Sequence, residues 1–226
     1  MQRTTPYSLS CTRVGIASGA LYSWQAAEER LTMHTEASGV RILLIVTIIS
    51  FLLTVGAGEG AILSLALWPL QANFAPWQLI TYAFLHGNLA HLFFNMYGLW
   101  MFGSEIEKLL GRRLFFKLYF ASILSAGAMQ LLVTTMTGNI YPTVGASGGV
   151  FGILLAYGMC FPNRVIVLLI PPVPLPAWLF VTLYAVIELV LGVTGSQAGV
   201  AHFAHLGGMV GGHWVISNWL RRHRRY

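Results

Sequence analysis

One serine lies among four glycines in residues 142–152, which read Pro-Thr-Val-Gly-Ala-Ser-Gly-Gly-Val-Phe-Gly. Glycines at this density allow another backbone to approach very closely. The pattern Gly-x-Ser-x-Gly is also typical of a nucleophile elbow, but that motif requires a strand before the serine. We interpret residues 134–144 as a polar loop, so Ser147 begins a helix that continues through an apolar run over 150–161. Taken alone, the stretch predicts a helix start with close glycine packing.

The composition is that of a membrane protein. Hydrophobic residues make up 56% of the 226 residues, charged residues make up 9%, and the mean hydropathy is +0.69. A soluble domain would carry roughly 25% charged residues. We therefore predict an all-α, polytopic membrane protein with one domain in the lipid bilayer. The two cysteines are too few for a disulfide framework. The net charge of +6 marks orientation in the membrane, and we predict no nucleic-acid partner.

Six apolar segments are candidate membrane spans, because about 20 helical residues cross a ~30 Å hydrocarbon core. They cover residues 40–57, 89–102, 114–136, 150–161 extended back to Ser147, 175–193 and 203–220. The second and fourth are short, so part of each is expected to be buried in protein rather than in lipid. The segment 58–87 contains no lysine or arginine but several tryptophan and proline residues, which predicts an interfacial position.

The distribution of lysine and arginine predicts the topology. Beyond residue 38 these residues lie at the start of the first span, around the loop after the second span, and after the fourth and sixth spans, and the other loops contain none. This positive-inside pattern places both termini in the cytoplasm. The predicted parts are a disordered tail over 1–38, with Met33 as an alternative start, a six-helix membrane domain over 39–220, and a basic cytoplasmic tail over 221–226.

The predicted topology brings four polar side chains to one depth. Spans two, four and six all run from the outer face inward, and His91, Asn95, Ser147 and His205 are all early in these spans. His91 and Asn95 are four residues apart, so they share one helix face. A polar pair within an apolar helix is costly unless it is satisfied or functional. Hydrogen bonding between helices is the simpler alternative for this pair.

The last span also carries a packing motif. Gly208 and Gly212 form a Gly-x-x-x-Gly face, which allows close approach to another helix. His205 lies roughly on that face, and the glycine-rich start of the fourth span can accept it. We therefore predict a contact between His205 and Ser147.

Three segments together resemble the rhomboid family of intramembrane serine proteases. They are Gly-Ala-Ser-Gly over 145–148, the segment His86…His91-Leu-Phe-Phe-Asn95, and Ala-His-Leu-Gly-Gly-Met-Val-Gly-Gly over 204–212. Each motif alone is of moderate specificity, but all three in this order on the expected spans make the resemblance strong. The resemblance covers about 39–220. Trp77 and the turn over 105–111 match further family positions that look structural.

The resemblance implies a six-helix bundle that cleaves transmembrane segments of other proteins with a Ser–His dyad. Ser147 is then the nucleophile and His205 the general base, and the oxyanion is stabilised by the side chains of His91 and Asn95 and the Ser147 N–H. It further implies that a substrate helix enters sideways and unwinds near the site, and it implies neither cofactor nor metal. The supporting residues are Gly145, Gly148, Phe151, Gly208 and Gly212.

The chain departs from the family pattern at two positions. Gln78 stands where arginine is frequent, which puts the packing of the outer loop in question, and Phe151 stands where many members have tyrosine. The Phe151 ring can still pack on His205.

The chain contains no aspartate, so a Ser-His-Asp triad is impossible and only Glu188 could supply the carboxylate. We interpret Glu188 as hydrogen bonded to a neighbouring helix or protonated, and leave it out of the dyad. His202 is interpreted as a supporting or interfacial residue, with a role as the base as the alternative.

Two rival functions come from other classes. A rhomboid-like scaffold could bind membrane helices without cleaving them, although such a chain would be expected to have lost Ser147 or His205. A metal-dependent membrane protein could use His86, His91, His202 and His205, since imidazole suits zinc. The sequence favours a bacterial inner membrane and leaves an organellar membrane as the alternative. The oligomeric state stays open.

Overall fold

A computed structural model of the chain describes residues 38–167, 172–195 and 201–223. Within these residues lie eight α-helices, one 3₁₀ helix and two short strands. In chain order they are α1 (Ser38–Ala57), α2 (Glu59–Leu65), α3 (Gln78–Thr81), the 3₁₀ helix (Tyr82–Phe84), α4 (Leu89–Leu110), α5 (Arg112–Thr137), α6 (Ser147–Cys160), β1 (Val165–Val167), β2 (Pro174–Pro176), α7 (Ala177–Thr194) and α8 (His202–His223). Two parts of the predicted tails lie outside the described residues. They are residues 1–37 of the N-terminal tail and residues 224–226 of the C-terminal tail.

The chain is a helical membrane protein. By length and composition, α1, α5 and α7 could each cross a membrane, and α6 is a shorter apolar helix. Helices α4 and α8 have 22 residues each and are interrupted by polar side chains. All six predicted spans therefore coincide with helices, while their number as membrane crossings and the position of the termini stay predictions.

Helix α4 is longer than the sequence predicts. It continues past residue 102 to Leu110, so the predicted turn over 105–111 is helical until Gly111, where φ is 76°. A buried carboxylate explains the extension. Both oxygens of Glu107 accept hydrogen bonds at the start of α1, from the N–H groups of Gly39 at 2.7 Å and Val40 at 2.8 Å. Unpaired N–H groups at a helix start favour an anion, so Glu107 fixes α1 against α4.

Two connections also differ from the prediction. Helix α5 runs to Thr137 and ends at Gly138, which has a φ of 71°, so the loop before Ser147 begins later than predicted at 134. Strands β1 and β2 pair antiparallel between α6 and α7, with Ile166 opposite Leu175. A three-residue strand containing two prolines has too short a pattern to be predicted as a strand.

The connection over 58–87 is organised by Gln78, whose side chain is 2% exposed. Its Oε1 accepts from the N–H groups of Trp68 and Ala75, each at 3.1 Å. Its Nε2 donates to the carbonyls of Asn73 at 3.1 Å and Ser64 at 3.4 Å. One neutral side chain thus satisfies four backbone groups of the loop. The outer loop is therefore held together even though glutamine stands at position 78, where arginine is frequent in the family.

We expect Gln78→Leu to lower the free energy of unfolding by about 2 kcal/mol or more, because each buried polar group left unpaired costs ~1–3 kcal/mol. Thermal unfolding of the detergent-purified protein measures the loss. Gln71→Leu is the matched control, because within the described part of the chain the exposed Gln71 side chain makes one hydrogen bond, to the Thr134 carbonyl at 2.9 Å. Equal melting temperatures for the two variants would contradict the role of Gln78.

Helices α6 and α8 contact each other through their backbones. A Cβ added to Gly208 would collide with the carbonyl oxygen of Gly148, and one added to Gly212 would lie 2.6 Å from the carbonyl oxygen of Gly152. Both helices therefore present glycine at the contact. The predicted Gly-x-x-x-Gly face packs against the glycine-rich start of α6, as expected, and this packing brings residues early in both helices together.

Candidate active site

Ser147 is the first residue of α6, and backbone hydrogen bonds fix the loop before it at two points. The backbones of Leu67 and Thr143 form a reciprocal pair of hydrogen bonds of 3.0 and 2.9 Å, and the Gly145 N–H donates to the Tyr82 carbonyl at 2.9 Å. Gly145 has a φ of 130°, and a Cβ there would lie 2.8 Å from two atoms of the His91 ring. Only glycine fits both the conformation and the space, so the chain turns sharply into α6. As the sequence predicts, the serine begins a helix without a preceding strand.

Ser147 and His205 are in hydrogen-bonding contact. The Ser147 Oγ lies 2.9 Å from the Nε2 of His205, across the α6–α8 interface. The imidazole of His205 stacks on the Phe151 ring, with centroids 4.3 Å apart and planes inclined by 7°. Both contacts agree with the sequence analysis, and they leave the Nε2 edge of His205 facing the serine. The catalytic roles of the two residues stay predictions at this point.

The other ring nitrogen of His205 contacts an acidic residue that is not part of the predicted dyad. The Nδ1 of His205 lies 2.9 Å from the Oε2 of Glu188 on α7, and the Nδ1 of His202 lies 2.7 Å from the same oxygen. Glu188 and His202 are both buried. The signal that could have found Glu188 is its isolation, since it is the single acidic residue of its span in a chain without aspartate.

The predicted oxyanion residues lie next to this pair. Helix α4 begins after Asn88, whose side chain accepts from the His91 N–H at 2.8 Å. Asn95 is buried, and one N–H of its amide donates to the His91 carbonyl at 2.9 Å. The second N–H of that amide is available by its chemistry to a further acceptor. The His91 ring packs on the backbone of Gly145, two residues before Ser147.

One cavity of about 780 Å³ is lined by Ser147, His205, Glu188 and the two predicted oxyanion residues. Its lining includes both polar and apolar side chains and reaches from the start of α4 to the buried side of α7. The predicted site residues that line it are His91, Asn95, Gly145, Ser147, Gly148, Phe151 and His205, together with Glu188. Gly208 and Gly212 do not line it and act through the helix contact. A cavity of this size beside a paired serine and histidine can hold a stretch of peptide.

His86 lies in the loop before α4 and contacts the backbone near the serine. Its Nε2 is 3.5 Å from the Ala146 nitrogen, a long hydrogen bond in which the N–H donates to the ring. Burial, with a smaller contribution from the neighbouring His91, lowers the pKa of His86 to about 4. The imidazole is therefore neutral at physiological pH and can accept from Ala146.

The structure divides the four histidines of the metal hypothesis into two groups. His86 and His91 lie together, with ring centroids 5.0 Å apart. His202 and His205 lie with Glu188, and the ligand atoms of these three residues are all within 4.8 Å of one another. Among the described residues, the arrangement brings two imidazoles and a carboxylate together, not four imidazoles.

Comparison with known proteins gives consistent matches. The Rhomboid domain model matches residues 73–222. Rhomboid protein 1, mitochondrial, of Saccharomyces cerevisiae is 33% identical over 160 residues, which cover 66% of this chain and 44% of that protein. Presenilin-associated rhomboid-like protein A, mitochondrial, of Danio rerio is 33% identical over 136 residues, covering 59% of this chain and 35% of that protein. Rhomboid protease GluP of Bacillus subtilis is 28% identical over 168 residues, which cover 74% of this chain and 29% of that protein. The chain thus spans less than half the length of these curated relatives.

Proposed function

This chain belongs to the rhomboid family, and from that premise we propose that it is an intramembrane serine endopeptidase. In this proposal it cleaves transmembrane segments of membrane proteins near the outer face of the bilayer. The observation that carries the proposal is the 2.9 Å contact between Ser147 Oγ and His205 Nε2, inside a cavity that a peptide can occupy. A serine hydroxyl needs such a base to become a nucleophile.

The proposed reaction proceeds through an acyl-enzyme. Ser147 Oγ attacks the carbonyl carbon of the scissile bond while its proton moves to His205 Nε2. The carbon–nitrogen bond then breaks, and His205 returns the proton to the leaving amine. Water attacks the resulting ester, again losing a proton to His205, and the carboxyl product leaves Ser147 with its hydroxyl restored.

The charge that develops on the carbonyl oxygen needs fixed donors. The Ser147 N–H belongs to the first turn of α6, where helix N–H groups have no intrahelical partner. The His91 imidazole and the Asn95 amide line the same cavity and can donate from the α4 side. Loss of one such donor typically costs ~10²–10³-fold in rate. We assign these three groups to the oxyanion site.

The substrates proposed here are transmembrane helices that unwind at the site, because a hydrogen-bonded helix shields its carbonyls from attack. One relative is named for an association with presenilin, and that name describes the relative. For this chain we propose only the chemical class, a membrane-spanning segment with small or helix-breaking residues near the scissile bond. Six spans remain the proposed topology, with both termini on the side of the membrane that carries the lysine and arginine residues.

The expected location needs a correction. The sequence favours a bacterial inner membrane, but two of the three relatives described above carry mitochondrial names. These names count against the bacterial preference, so we propose a membrane of an organelle. Microscopy and fractionation of the tagged chain in a eukaryotic cell test this location.

A fluorophosphonate probe tests the proposed function directly. The detergent-purified protein is labelled with the probe, digested, and mapped by mass spectrometry beside an active control protease. We expect the label on Ser147. A folded protein that is never labelled while the control is labelled would favour the inactive scaffold. Stoichiometric metal in the same preparation would instead favour the metal-dependent alternative.

A further inference from the structure

Glu188 is a buried carboxylate on α7, whose other buried residues, Ala177, Phe180 and Val181, lie near the start of the helix. Most large side chains of α7 are exposed, among them Leu183, Ile187 and Val190, whereas Glu188 is 7% exposed. It lines the same cavity as Ser147. A buried carboxylate is strongly unfavourable unless donors satisfy it. Glu188 therefore needs hydrogen-bond donors at its buried position.

One oxygen of Glu188 faces two histidines at the start of α8. The Oε2 atom lies 2.7 Å from His202 Nδ1 and 2.9 Å from His205 Nδ1. An ionised carboxylate can only accept hydrogen bonds, so both Nδ1 atoms must donate to it. A neutral His205 with its proton on Nδ1 has none on Nε2, and Nε2 can then accept the proton of Ser147. This is the tautomer that a general base requires.

We infer that Glu188 completes a Ser147–His205–Glu188 triad as the positioning residue of the base. The inference rests on the proposed protease function and goes beyond the dyad. In a serine–histidine–carboxylate arrangement, the carboxylate holds the imidazole in the correct tautomer and stabilises the imidazolium that forms as the serine loses its proton. His202 donates to the same oxygen and helps to hold the carboxylate in place.

The distances favour hydrogen bonds over a metal site. Zinc lies ~2.0 Å from each ligand atom, so two ligands of a tetrahedral ion are about 3.3 Å apart. The Oε2 of Glu188 is closer than that to both Nδ1 atoms, at 2.7 and 2.9 Å. These separations match charge-assisted N–H···O bonds.

The test compares Glu188→Gln, Glu188→Asp and His202→Gln in proteoliposomes with a transmembrane reporter substrate. Glu188→Gln keeps the size and removes the charge, so we expect kcat to fall by roughly 10²–10⁴-fold. KM and the melting temperature are expected to stay close to those of the unchanged protein. Glu188→Asp is expected to recover part of the loss because it restores the carboxylate. His202→Gln is expected to cost much less, because His202 contacts the carboxylate and not Ser147.

The outcomes separate this inference from the proposed function. If the unchanged protein cleaves the substrate and Glu188→Gln matches it, the triad is wrong and the dyad stands. If Glu188→Gln and His202→Gln lose the same activity together with the same stability, Glu188 only ties α7 to α8, and the triad is again wrong. Stoichiometric metal that is lost in both variants also overturns it. An unchanged protein that neither cleaves nor labels overturns the proposed function, and the triad with it.

Discussion

Replacing either Ser147 or His205 by alanine is expected to abolish cleavage, with kcat lowered by about 10⁶-fold. The two side chains form one hydrogen-bonded unit at 2.9 Å, so removing one disables the other. The double variant should therefore be no less active than either single variant. Cleavage of a reporter transmembrane segment in proteoliposomes, with the melting temperature as a check of folding, measures the effect.

The chain offers a matched control for this prediction. Ser217 and His213 also form a serine–histidine contact, with Oγ and Nε2 3.2 Å apart, on the exposed side of α8. Ser217→Ala and His213→Ala remove the same kinds of group from the same helix. We expect both variants to keep their activity. Cleavage by the Ser147→Ala variant, or an equal loss in the control pair, would show that the nucleophile lies elsewhere.

The second large effect is expected from Gly208→Val. Its added Cβ would collide with the carbonyl oxygen of Gly148, so α6 and α8 must move apart and separate Ser147 from His205. A displacement of about 1 Å at a reacting group can cost ~10²-fold, and we expect kcat to fall by at least that factor. Overpacking should also lower the free energy of unfolding by ~1–3 kcal/mol.

Gly56→Val is the control for this substitution. It makes the same chemical change within α1, where an added Cβ would meet nothing within 4 Å. The rate of cleavage and the fluorophosphonate labelling rate are measured for both variants. Gly208→Ala should show an intermediate loss, because the first added carbon already makes the collision. Unchanged turnover in Gly208→Val would rule out the packing argument.

The layer of polar residues could be predicted from sequence because it follows from topology. Positive charge orients the spans, and orientation alone brings His91, Ser147 and His205 to one depth. The glycine spacing then predicts which helices pack closely. These steps need only the order of residues along each helix, and the structure brings the residues to one cavity.

Glu188 could not be assigned in this way because its role depends on the rotation of α7 about its axis. That helix is apolar on nearly every side, so its sequence does not show which face points inward. The length of α4 was missed for a related reason. Glu107 looks like a residue at a helix end until its partners, the N–H groups of α1, are known from tertiary structure.

The contact between α6 and α8 also has a genetic consequence. A harmful increase in size at one position of a helix interface can often be relieved by a decrease in size at the facing position. At Gly208 and Gly148 both partners are already the smallest residue, so neither side can shrink further. A search for suppressors of Gly208→Val should therefore find none at position 148. Neither position has a side chain that could become smaller, so no further decrease in size at this contact can restore the distance between Ser147 and His205.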